Sequence, residues 1–325
     1  MTLISRAQNF EDVILWRALK HINDGSYVDI GAQDPLVDSV SEAFYRSGWR
    51  GVHVEPIHFY AEKLRIARPD ETVIEGAVGQ GSANIPLYEI EGTGMSTGKF
   101  DIAETHRLNG HSVKKIDVPC IPLSELFLTH TKGEIHWMKL DVEGMEQEVI
   151  ESWEPVEVRP WIIVVESTEP NLPVPNHQAW EPQLLAKGYE FVYFDGLNRF
   201  YVSNDHSELK AVFGPGPNVF DNFVRGTEFD LRVSLNAQTA NADMLAQQVE
   251  HVRAEKQTLA QQLAIASAEN EKFRQQISGL KLQNESYALQ LDRIYSSRGW
   301  ILLTRLKKII PKSLFKNTQH KSSKR

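Results

Sequence analysis

From Tyr27 onward, short runs of β-branched and aromatic residues alternate with helical or loop segments. Seven runs carry the strand pattern: SYVDIG, GVHVEP, TVIEGAV, IHWMKLD, WIIVVE, EFVYFD and RFYVS. Alternation of this kind predicts an α/β domain, its mostly parallel sheet covered on both faces. The last two runs are separated only by Gly196, Leu197 and Asn198. That is too short for a crossover helix, so they must form an antiparallel hairpin. Between the third and fourth runs lies a longer insertion, 80–132, with the strand-like runs ANIPLYEI and KIDVPCIPL around a glycine-rich loop, EGTGMSTGKF. Insertions of this size usually carry function, and this loop is placed to cross the mouth of a site. Ahead of the first run, 8–20 reads as a helix in which Glu11 and Asp12 face away from Val13, Ile14 and Trp16. Such a helix either packs on the sheet or lids the ligand.

After Arg225 the period changes. From 236 to 295 there is no proline and one glycine, Gly279, among many Ala, Gln, Glu, Lys and Leu. One series runs Leu245, Val252, Leu259, Ala266, Phe273, Leu280, Tyr287, Ile294; a second runs Val249, Lys256, Leu263, Asn270, Ile277, Asn284, Leu291. The two interleave at spacings of four and three, which predicts a coiled coil rather than a core helix. Lys256, Asn270 and Asn284 all fall in the second series, where a buried Asn fixes register and favours a parallel dimer. Beyond it, WILLTRLKKII sets Trp300, Leu303, Leu306 and Ile310 on one side of a helix and Arg305, Lys307 and Lys308 on the other. This predicts either a helix lying on an anionic membrane surface or a cap folded back on the rod or the globular part. The expected division is therefore 1–230, 236–296 and 297–325.

Charge follows the same division. The formal net charge of −8 hides a tail, 298–325, with nine Lys/Arg and no Asp or Glu, so the body before it stands at −17 (26 basic against 43 acidic residues). An acidic body repels phosphate backbones and excludes nucleic acid as the partner of the globular part. The single cysteine, Cys120, excludes an internal disulfide and agrees with a reducing cytoplasm. The opening MTLISRAQNF lacks a secretory pattern, and no tail run approaches the ~20 apolar residues that span a bilayer. A cytoplasmic protein is expected, peripheral at the inner membrane face if the tail binds lipid.

Nearly every strand ends in a carboxylate. Asp29 and Gly31 follow the first, Glu55 the second, Ala77 the third, Asp141 the fourth, Glu166 the fifth and Asp195 the sixth. Ligands of doubly wound sheets bind outside these strand ends. The turn GAQDPL lacks the second and third glycines of the dinucleotide fingerprint and adds Asp34, which opposes a phosphate. A ligand with a cationic centre, such as S-adenosylmethionine, suits this acidic rim, with Glu55 placed for the ribose hydroxyls and Gly31 letting the chain pass close to the methionine end. For a hydroxyl acceptor, Asp141 is the first candidate proton acceptor and Glu143 the second. An alternative, not favoured, has Asp141 and Glu166 hold Mg²⁺ with Asp195 or Asn198 as third ligand. His53 reads as a packed core histidine or a catalytic one, and Lys139 as the ion-pair partner of a strand-end acid.

The blocks AQNFEDVILWRAL, YVDIGAQDPLVDSVSEAFYRSGWRGVHVEP, GMST, HWMKLDVEGMEQEVIESW, RPWIIVVEST and FVYFDGLNRFYVS resemble the FkbM-type methyltransferases over about 5–225. The resemblance implies a Rossmann-like class I methyltransferase fold with a seven-stranded, mostly parallel sheet, here followed by the long coiled-coil helix. It implies S-adenosylmethionine as cofactor, with Asp29, Gly31 and Glu55 holding it and Asp141 reaching cofactor or acceptor. It further implies O-methylation of a sugar or of a small natural product. Many relatives carry Asn-x-Gly after the Gly-Ala pair, where this chain has Gln33, Asp34 and Pro35. The rod and basic end are similar to those on bacterial surface-polysaccharide enzymes, which implies a glycan acceptor. The competing expectation is a non-catalytic scaffold organised by the rod.

Overall fold

The computed structural model describes residues 2–81, 83–169 and 172–309. The chain divides into two compact units, Met1–Leu235 and Asn236–Arg325.

In the first unit the seven expected runs form one sheet: β1 Ser26–Ile30, β2 Arg50–Val54, β3 Thr72–Ile74, β4 Ile135–Leu140, β5 Pro160–Glu166, β6 Tyr189–Phe194 and β7 Asn198–Ser203. Their order is β3-β2-β1-β4-β5-β7-β6. Neighbours from β3 through β5 pair parallel, whereas β7 runs antiparallel to both β5 and β6. The sheet is therefore mixed, and the expected hairpin accounts for it.

Successive side chains of a strand point to opposite faces, and each face has its own core. On one, Val28, Met138, Ile163 and Tyr201 pack with Leu126, Phe127 and Val149. On the other, Tyr27, Trp137, Ile162 and Phe200 pack with Ile14, Leu15 and Phe44. β4 is buried along its whole length, as a central strand covered on both sides must be.

Two expectations are corrected. The run TVIEGAV is two strands: after Ile74 the chain leaves the sheet, and Ala77–Val78 pairs instead with Cys120–Ile121. Gly76 lets the two backbones approach, since a Cβ there would stand 2.7 Å from the carbonyl oxygen of Pro119. The helix Glu11–Leu19 packs on the sheet, but Glu11 and Asp12 are buried, at 1% and 0% exposure. Both find donors inside: Ser5 Oγ (2.7 Å) and Arg6 N (3.1 Å) donate to Asp12, and Asn9 N (2.9 Å) and Asn198 Nδ2 (3.0 Å) donate to Glu11.

The insertion supplies a second small sheet, Ile85–Ile90 antiparallel to Val113–Val118, with the helix Phe100–Leu108 between them. The helix Gly226–Ser296 begins in the last residues of the first unit and continues into the second, where Arg298–Ile309 follows it. Leu245, Val252, Leu259, Leu263, Ile277 and Leu280 of the two heptad series are exposed along it. Ile310 and the basic residues after it lie outside the described residues. No helix among the described residues is long and apolar enough to cross a membrane.

Candidate active site

Strand order reverses between β1 and β4, and a crevice opens at such a switch point. Here it is a cavity of about 560 Å³. Asp29, Gly31, Glu55, Ala77, Asp141, Glu143 and Glu166, all nominated by the sequence, line it together. Ala77 does so from the short Ala77–Val78 strand. Thr93, Gly94, Met95 and Ser96 of the glycine-rich loop line it too, as do Ile57, Val78 and Leu87.

Gly31 has a more specific role than the sequence indicates. It sits at φ +82°, and a Cβ there would collide with the carbonyl oxygen of Asp141. The β1 turn and the end of β4 thus meet backbone to backbone, with Asp141 N donating to Ile30 O at 3.0 Å and Gly31 N to Val54 O at 2.9 Å. Only glycine tolerates both the conformation and the approach. Two residues on, Gln33 takes φ +48° without being glycine. Its N–H reaches Glu55 Oε2 at 2.9 Å while Ile57 N donates to Oε1 at 2.8 Å. Asp34 is not among the cavity-lining residues. It caps Leu36 N and Val37 N and pairs with Lys63 at 2.8 Å, so it opposes no ligand in the cavity.

Lys139 is the one Lys or Arg among the described cavity-lining residues. Its Nζ lies 2.6 Å from Asp141 Oδ2. Burial works against its charge, but Asp141, Glu11 and Asp29 outweigh it and hold its pKa above the ordinary lysine value. The ion pair expected of Lys139 is thus made with the acid one residue past the end of its own strand, and Glu11, unrecognised in the sequence as part of the site, contributes its field.

Beyond that pair the site has an excess of acid. Asp141, Glu143 and Glu166 have carboxylate oxygens within 4.8 Å of one another. Asp195 and Asn198, weighed as partners of Asp141 and Glu166, take no part: Asp195 accepts from Leu197 N (2.8 Å) and Asn198 Nδ2 (3.0 Å) in the hairpin turn. The third acid is Glu143, held at φ +50° with its carbonyl accepting from Thr97 Oγ1 at 2.7 Å. Burial first, then Asp141 and Glu146, raises the Glu143 carboxyl; burial, Asp141 and Glu143 raise that of Glu166. Glu146, at the start of the helix Glu146–Glu151, is pushed up to about 7 by burial. His53 is fully buried, its Nε2 2.9 Å from Glu71 Oε2, as a packed core histidine should be.

These shifts make stability depend on pH. Burial pushes Glu55 from 4.5 up to about 7 and Asp12 from 3.8 up to about 7. Through these two groups the folded protein binds more protons than the unfolded chain above about pH 4, so their contribution to stability falls as pH rises toward about 7 and levels off beyond. For Glu55 alone the full shift is on the order of 3 kcal/mol. Thermal unfolding of the ligand-free protein is expected at a clearly lower temperature at pH 7.5 than at pH 5. Glu55→Gln should flatten that dependence.

The order of the strands and the cavity at their switch point define an α/β protein with a mixed sheet and a crevice at its strand ends. Residues 29–191, half of the chain, match the model of the methyltransferase FkbM domain. The chain belongs to the FkbM methyltransferase family and is a methyltransferase. No curated protein matches it. Among solved structures it is similar to Aeropyrum pernix fibrillarin in complex with natively bound S-adenosyl-L-methionine, at 10% identity and a TM-score of 0.31, over 58% of this chain and 72% of that one.

Proposed function

We propose that the chain is an S-adenosylmethionine-dependent O-methyltransferase of class I architecture, acting on a sugar hydroxyl in bacterial surface-polysaccharide biosynthesis. The observation that carries the cofactor is the imbalance of charge in the cavity: Asp29, Glu55, Asp141, Glu143 and Glu166 face one lysine. Uncompensated buried acids are costly unless a ligand brings positive charge, and a sulfonium with an α-amino group does so. Glu55 would take the ribose hydroxyls, Asp29 and the Gly31 turn the methionine end, and Ile57, Ala77 and Val78 the adenine. The cofactor supplies an activated methyl group when bound. The sheet order β3-β2-β1-β4-β5-β7-β6, with β7 reversed, supports the class I assignment.

The second unit supports the reading of the acceptor and its setting. The heptad series pairs two copies in parallel, which covers the exposed leucines. Arg298–Ile309, apolar on one side and basic on the other, rests on an anionic membrane surface, where lipid-linked glycans are held. Deleting 297–325 is expected to leave a dimer in sedimentation but release it from anionic vesicles; deleting 236–325 should give a monomer. Retention of the tail-less protein on vesicles would refute the membrane assignment. The acceptor is tested by mass spectrometry of surface glycan from cells lacking the chain, which should have lost a methyl group. An unchanged glycan counts against the assignment.

A further inference from the structure

We propose, building on the S-adenosylmethionine reading, that Gln33 is a positioning residue: it ties the glycine-rich loop to Glu55, so that the bound donor sets the loop wall an acceptor meets. Gln33, Thr93, Gly94, Met95 and Ser96 all line the cavity. Gln33 stands between the loop and the carboxylate. Its backbone N–H donates to Glu55 Oε2 at 2.9 Å, and a Cβ on Gly94 would stand 2.9 Å from the Cδ, Nε2 and Oε1 atoms of its side chain. The end of that side chain therefore lies directly against the loop. It makes no hydrogen bond among the described residues, so what it gives the loop is packing.

The loop's own hydrogen bonds lead back to the strand Ile85–Ile90: Thr93 Oγ1 donates to Ile90 O at 2.8 Å, and Ser96 Oγ accepts from Ile90 N at 3.2 Å. They shape the loop without fixing it against the main sheet. At its near end Tyr60 OH reaches Thr93 O at 3.4 Å, which is long for a hydroxyl donor, and at its far end Thr97 Oγ1 donates to Glu143 O at 2.7 Å. Gln33 meets the middle. It does so at φ +48°, a conformation that glycine adopts freely, and strain of this kind persists where the surrounding structure holds a residue to a task. A donor whose ribose hydroxyls engage Glu55 fixes the carboxylate that orients the Gln33 turn. It thereby favours the arrangement in which the loop is supported, and such a difference in contacts is what lets a ligand shift an equilibrium. The acceptor then meets a loop already in place, so the donor binds first.

Hydrogen–deuterium exchange of the full chain, with and without S-adenosylmethionine, reads the loop directly. In the wild type the donor should slow exchange of the 91–97 amides about fivefold or more, the low end of an ordinary coupling between sites. Gln33→Gly keeps the N–H to Glu55 and accepts the left-handed backbone, so its unfolding temperature should change little. It should still bind the donor, yet its loop should exchange equally fast with and without it. By reciprocity, donor affinity falls by no more than the same factor. Gly94 does not have a positive φ, so Gly94→Ala mainly displaces the end of the Gln33 side chain. It should give the same loss of protection alone and add nothing in the double variant. A loop that the donor slows equally in Gln33→Gly, or that does not respond to bound donor in the wild type, overturns the coupling; so do additive effects in the double variant. A wild type that does not bind the donor at all overturns the cofactor reading and the coupling with it.

Discussion

Lys139→Met should destabilise the first unit by about 3–5 kcal/mol at neutral pH, the usual cost of removing one partner of a buried ion pair. Lys139 is only 7% exposed, and its charge is set against Asp141, Glu11 and Asp29. Methionine fills nearly the same volume, so the loss is electrostatic rather than a cavity. Burial already raises the Glu11 carboxyl and Lys139 opposes that rise, so without the lysine Glu11 binds its proton still more tightly than in the unfolded chain. The variant's stability should then fall as pH rises from about 4, and its deficit should be small at pH 4 and full at pH 7. Denaturant titrations at the two pH values check this. A deficit independent of pH would mean that Lys139 contributes packing alone.

Gly31→Ala should be the most damaging small substitution. The left-handed backbone at φ +82° costs a non-glycine residue about 1–2 kcal/mol. Moving the β1 turn off the carbonyl of Asp141 adds about 1–3 kcal/mol. Together they should lower the unfolding temperature by roughly 5–15 °C. Because the same shift separates Asp29 from Asp141, binding of S-adenosylmethionine should weaken more than stability does. Gly48→Ala is the control: its φ is +94°, but a Cβ there meets nothing within 4 Å. It should carry the backbone cost only and leave binding intact.

Much of this site was legible because strand ends are local. Asp29, Glu55, Asp141 and Glu166 stand where a hydrophobic run stops, and such acids converge once the runs become neighbours in a sheet. Gly76 and Ala77 show the limit: the run TVIEGAV looks continuous, and only the distant Cys120–Ile121 draws its end away. Glu11 and Asp12 were misjudged for a related reason. A helical face marks acids as solvent-exposed, yet Asn198, Ser5 and Arg6, from other elements, supply buried donors.

Calorimetric titration of the full chain with S-adenosylmethionine, alongside Glu55→Gln and Asp29→Asn, tests the central claim most directly. The account predicts one site per chain in the wild type, weakened about tenfold or more in each variant, as expected when a charge-assisted hydrogen bond is lost. Absence of binding in the wild type, or equal affinity in all three proteins, would contradict it.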